Sequence, residues 1–223
     1  MLMKNYVRIY TSVFFIIITV CINPGCKSTV RSTGSAQLSD NQAISEWREE
    51  NRTGNSAETG LMKSWPAEGP ELIWMNKELP KGHSSVSIGN NTIYITGNVD
   101  QNDILVAIDP SGKIKWQTIY GKAWNASNPE SRCTPTVEGE RVYVSSGSGD
   151  IACIDGISGE IIWTVKASEI YKGTFGEWGI AESLIVDGDK LYFSPGGPET
   201  MTIALDKNTG SLIWKSKSMN DGP

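Results

Sequence analysis

The chain has 223 residues, a single His and a net charge of −5, with no basic run in its body. That length holds one or two ordinary domains. Nucleic acid is excluded as a partner because its recognition needs a positive footprint, and one His cannot furnish a His-rich metal site or a His-based triad.

Residues 1–26 read apart from the rest. "MLMKNYVRIY" carries Lys4 and Arg8, "TSVFFIIITVCI" is apolar, and "NPGC" follows. A basic start, a short apolar run and a small residue before the break make an export signal. The run is shorter than the roughly 20 residues of a spanning helix. Gly25 before Cys26 resembles the lipobox of bacterial lipoproteins, in which the Cys is lipidated and becomes N-terminal; Asn23 departs from the aliphatic residue of that pattern. The expectation is a body outside the cytoplasm, in the periplasm or at the outer membrane, tied to the membrane by a lipid on Cys26. Residues 27–45 open with "KSTVRSTGSAQLSDNQA", too polar for a core, and read as a flexible tether.

From there the chain repeats itself. "TIYITG", "RVYVSS" and "KLYFSP" place Tyr94, Tyr143 and Tyr192 at intervals of 49 residues. A turn precedes each ("IGNN", "VEGE", "VDGD") and a second β-like run follows each ("ILVAID", "DIACID", "MTIALD"). An Asp–Gly–Trp phrase closes each unit: Asp109, Gly112 and Trp116; Asp155, Gly159 and Trp163; Asp206, Gly210 and Trp214. Each unit reads as four short strands joined by tight turns. Consecutive apolar residues mean that both faces of each sheet are buried, and a helical period is missing. A small sheet buried on both faces and repeated at this spacing is a propeller blade, so the fold class is all-β.

The repeat assigns roles. The Asp carboxylate accepts backbone N–H groups of its turn, and the Gly takes positive φ. The first copy has one residue fewer between Asp and Gly, so its turn differs in type. The Trp fills the gap between blades. "DGD" (187–189) and "NVDQND" (98–103) fall where hairpin turns are required. Cys153 takes the place of Ala107 and Ala204, a small buried strand residue. Cys133 begins an innermost strand two strands away, roughly 9–10 Å off. A disulfide needs Cα atoms within about 7 Å, so no bond between the two is expected.

"VAIDPSGKIKW", "ACIDGISGEIIW" and "IALDKNTGSLIW" resemble the PQQ-like repeats of quinoprotein-type, alcohol dehydrogenase-like propellers, which have eight blades. The resemblance covers residues 46–223, read as an N-terminal strand plus three blades. It implies an N-terminal fragment of a protein of about 400 residues. Trp74 in "ELIWM" matches a closing Trp with no unit before it, so the strand near 71–76 is expected to complete the last blade from outside.

In such a propeller the innermost strands line a central channel, and the long inter-blade loops 120–133 and 167–183 open at its mouth. His83, Trp124, Arg132, Glu177, Trp178 and Glu182 are therefore the binding candidates, with Trp124 and Trp178 read as loop anchors. The resemblance implies two functions. One is a non-catalytic binding or scaffold module at the cell envelope, whose partner is an envelope protein or a small ligand. The alternative is a PQQ-dependent alcohol dehydrogenase, with PQQ over Ca²⁺ in the channel. Many such enzymes press an adjacent-Cys disulfide against the cofactor, and this chain has no Cys-Cys pair. A sensor or carbohydrate-associated propeller is a third class.

Overall fold

The computed structural model describes residues 44–56 and 58–219. The export signal, Cys26 and nearly all of the tether lie outside the described residues.

Three four-stranded antiparallel sheets follow one another along the chain, each in sequential strand order. Blade 1 comprises β1 (Ser87–Gly89), β2 (Thr92–Val99), β3 (Asn102–Ile108) and β4 (Ile114–Lys122). Blade 2 comprises β5 (Thr136–Glu138), β6 (Arg141–Ser145), β7 (Asp150–Asp155) and β8 (Ile161–Lys166). A one-turn helix, α1 (Ala167–Ile170), leads to blade 3: β9 (Ile185–Asp187), β10 (Lys190–Phe193), β11 (Ile203–Asp206) and β12 (Leu212–Lys215). The third strand of each blade is buried almost throughout, as its unbroken apolar run requires. The outer strands differ from expectation: β8 and β12 stay largely open to solvent, because they form the perimeter.

The repeated residues meet across each sheet. Tyr94 pairs with Ala107, and Ala107 with Trp116; Tyr143, Cys153 and Trp163 form the same row, as do Tyr192, Ala204 and Trp214. The Tyr and Trp rings lean together over the middle residue, with centroids 6.0, 6.3 and 6.0 Å apart. Only a small side chain fits beneath two rings, which explains Ala107, Cys153 and Ala204. Cys133 and Cys153 are both free and buried.

Each Asp turn is built by its carboxylate. Asp155 Oδ1 accepts the N–H groups of Ile157 and Ser158 at 3.0 and 2.7 Å, and Asp206 Oδ1 those of Asn208 and Thr209 at 2.8 and 2.9 Å. Asp109 Oδ1 accepts from Ser111 and Lys113 at 2.8 and 3.1 Å. Gly112 N–H closes onto Asp109 O one residue sooner than Gly159 onto Asp155 O or Gly210 onto Asp206 O, so the first turn is the tighter type.

The closing Trp docks on the following blade. Trp116 Nε1 donates to Ile157 O at 3.1 Å and Trp163 Nε1 to Lys207 O at 3.1 Å. The rings lie on Gly159 and Gly210, where a Cβ would come within 2.7 and 2.8 Å of them. These glycines also have φ of +79° and +72°. Glycine is thus required twice, by backbone conformation and by the ring above it. Trp74 does the same to blade 1, through Pro110 O at 2.9 Å and Gly112. Residues 71–76 nevertheless join no strand, and Ile73 is 83% exposed. An apolar run alone makes no strand without an edge to pair with.

Candidate functional site at the channel mouth

Blades meet along their innermost strands through a ladder of hydroxyls that obeys the repeat. Ser85 N–H donates to Thr134 Oγ1 at 3.1 Å, and Thr134 N–H to Ser183 Oγ at 3.0 Å. Ser87 Oγ donates to Pro135 O at 2.5 Å and Thr136 Oγ1 to Leu184 O at 2.6 Å. Thr96 Oγ1 and Ser145 Oγ donate to Cys133 O and Glu182 O, each at 2.6 Å. Every one of these bonds runs from the earlier blade to the later. The sequence reading missed them, although Ser85, Thr134 and Ser183 carry the same 49-residue offset as the tyrosines.

This ladder positions His83, Arg132 and Glu182, which line one cavity of about 350 Å³ together with Trp47 and Arg52. His83 Nε2 lies 2.9 Å from Glu130 Oε2. Glu182 Oε2 accepts Ser194 N–H at 2.9 Å. Burial raises the Glu182 carboxyl, while the Ser194 N–H and the Arg52 charge draw it down. Arg132 Nη2 donates to Asn128 O, and its Nη1 is buried with no protein partner. Arg132 and Glu182 thus bring one positive and one acidic side chain to the cavity lining.

Trp124, Glu177 and Trp178 lie elsewhere. The Trp124 ring packs on Gly179 and against Phe175, with ring centroids 5.5 Å apart, while its Cβ and backbone lie on Gly147, and it anchors its loop. Ser127 Oγ accepts Trp124 Nε1–H and donates to the backbone carbonyl of Glu177. Trp178 is 56% exposed and anchors nothing of the kind. A second cavity of about 530 Å³ opens beside Trp124, Phe175, Lys122 and Lys166.

Two parts of the neighbourhood were not among the candidate residues, and the first, Asp103, lies in a strand rather than in the turn read over 98–103. Asp103 of β3 is fully buried; its Oδ2 accepts Gly147 N–H from blade 2 at 2.7 Å, and its Oδ1 has no protein partner. Burial pushes its carboxyl up to about 6, against the pull of the Gly147 N–H and the Arg132 charge. Residues 44–52 form the second part, a strap on the channel face. Ser45 makes a two-bond antiparallel bridge with Val137, and Arg52 pairs with Glu46 at 2.8 Å. Residues 44–52 thus bond to the innermost strand, or its entrance, of all three blades. Among the described residues, no three His, Cys, Asp or Glu side chains gather as metal ligands.

Four-stranded blades, each locked to the next by Trp on Gly and by inner-strand hydroxyls, define a PQQ-like β-propeller. The family described as outer membrane protein assembly factor BamB matches residues 101–223, more than half of the chain, and the chain belongs to that family. Among solved structures it is similar to a europium-containing methanol dehydrogenase, at 21% identity and a TM-score of 0.49, covering 66% of this chain and 27% of that one. It is similar to the quinohemoprotein alcohol dehydrogenase of Comamonas testosteroni at 17% and 0.46, covering 62% and 21%. It is similar to BamB of Moraxella catarrhalis at 21% and 0.41, covering 60% and 36%. The chain therefore spans about a fifth to a third of the length of these structures. No curated protein matches it.

Proposed function

We propose that this chain is a non-catalytic binding or scaffold module of an exported, lipid-anchored propeller at the bacterial cell envelope. Membership of the BamB family supports an extracytoplasmic place and an envelope protein as partner. The observation that carries the reading is the occupied channel face, where residues 44–52 hold the edges that a channel cofactor would approach. The cavity formed by His83, Arg132 and Glu182 beside it is the binding site.

The alternative, a PQQ-dependent alcohol dehydrogenase, requires carboxylates around Ca²⁺. Calcium takes about six to eight oxygen ligands. Among the described residues, Glu182 is the one carboxylate lining the cavity, and its Oε2 is already bonded to Ser194 N–H. These residues do not fit the calcium–quinone pair. The test is a thermal-shift titration of the chain, purified without its signal, with PQQ and Ca²⁺. A ligand that binds only the native state raises the melting temperature by mass action. No shift is expected at cofactor well above micromolar; a saturable rise abolished by EDTA would overturn the reading.

A further inference from the structure

An innermost strand has one edge bonded within its blade and one turned to the channel, whose N–H and C=O groups lack a strand partner. Residues 44–52 reach three such edges in succession. Ser45 N–H donates to Val137 O at 2.9 Å and accepts in return from Val137 N–H at 2.8 Å through its own carbonyl. Ser45 Oγ accepts Ile88 N–H of β1 at 3.0 Å. Arg52 Nη2 donates to Ser183 O and Leu184 O, at the entrance to β9, at 2.9 and 2.7 Å. On the blade side these contacts are all main-chain groups. The surface therefore reads an extended backbone and one guanidinium rather than a particular sequence.

The strap is held bent between its two attachments. Arg48, Glu49, Asn51 and Arg52 have φ of +68°, +69°, +56° and +54°, where a Cβ crowds the backbone. Residues other than glycine persist there only while surrounding contacts hold them.

We infer that the channel edges of β1, β5 and β9 form a peptide-binding groove, and that residues 44–52 are its occupant in cis. The ligand class is an extended peptide that pairs as a strand with Val137 and carries an arginine for the Ser183 and Leu184 carbonyls. This is strand addition to an open sheet edge. The inference deepens the binding-module reading and rests on it; peptide and quinone binding are read in separate assays, so either can fail alone.

The test uses a fluorescent peptide of residues 44–54, "ISEWREENRTG". The full chain carrying Arg52→Ala, its strap loosened, binds this peptide about tenfold or more tighter than the unmodified chain, whose own strap competes. A peptide with the same Arg52→Ala change loses that gain. Equal affinity of the two proteins, or of the two peptides, overturns the inference. A second measurement needs no variant. Amide exchange of Ser45 and Val137 in the unmodified chain is expected to run about a hundredfold faster than that of Val144 and Ile154 inside the blade. Equal protection would mean that the strap never opens, and overturns the inference by itself.

Discussion

Asp103→Asn should make the protein more stable at neutral pH. The carboxyl is fully buried, and its pKa rises from 3.8 to about 6. The folded state therefore binds this proton more tightly than the unfolded chain, and the ionised form works against folding. One pKa unit is about 1.4 kcal/mol, so a rise of about two units amounts to about 3 kcal/mol at most. The penalty is complete above about pH 6, fades as pH falls, and is gone below the unfolded value of 3.8. Asn keeps an oxygen for Gly147 N–H. It gives up attraction to Arg132, and Asp150 is the like charge it no longer opposes. Asn98, Tyr120 and Cys133 are the other titratable or polar groups that sense Asp103. The expected gain at pH 7.5 is about 1–3 kcal/mol, or several degrees in melting temperature for a body of this size. Urea unfolding of both proteins at pH 7.5, 5.5 and 4 measures it. A less stable variant at pH 7.5, or a difference that does not shrink toward pH 4, would refute the reasoning.

Three further outcomes test the packing. Trp116→Ala removes a half-buried ring and its bond to Ile157 O, and should cost about 2–4 kcal/mol in chemical denaturation. Gly159→Ala should cost clearly more than Gly139→Ala: both have positive φ, but a Cβ at 159 meets Trp116 at 2.7 Å while one at 139 meets nothing within 4 Å. If the two cost the same, the ring contact adds nothing to the backbone strain. Burial pushes the Cys133 and Cys153 thiols up to about 11 and about 12. Iodoacetamide at pH 8 should therefore leave both untouched in the native protein and label both in denaturant, because the thiolate is the reactive form.

The blades were legible because each repeated residue answers a geometric demand. The Asp builds a turn, the Gly takes positive φ, and a small residue lies beneath two rings. The next step was only half legible. The Trp was expected between blades, yet its seat on Gly159 or Gly210 joins residues of neighbouring units, which a single repeat does not reveal. His83 and Arg132 hold one repeat position of successive blades and Glu182 holds the next, and the three line one cavity. Trp124, Glu177 and Trp178 belong to longer loops whose paths no period specifies. The strap was invisible for another reason: it is held by backbone bonds and one guanidinium, and "ISEWREENR" has no apolar period to betray it. "ELIWM" is strand-like in composition, and among these residues it is Trp74 that docks, on the turn of blade 1, as its match to a closing Trp implies.

The hydroxyl ladder gives the stack of blades a direction. Thr96, Ser145, Ser87, Thr136, Trp116 and Trp163 all offer hydrogens forward to carbonyls of the following blade. These hydroxyl and indole bonds give the stack the polarity of a polymer, although Gly147 N–H and Lys207 Nζ donate in the other sense, to Asp103 and Glu138. Two blades meeting in opposite orientations would set donor against donor. A chain emerging from the ribosome N-terminus first presents each finished blade as a template for the next, so assembly can proceed by accretion, unit by unit. The same polarity guards against reversed blades, a hazard for any protein that writes nearly the same unit three times.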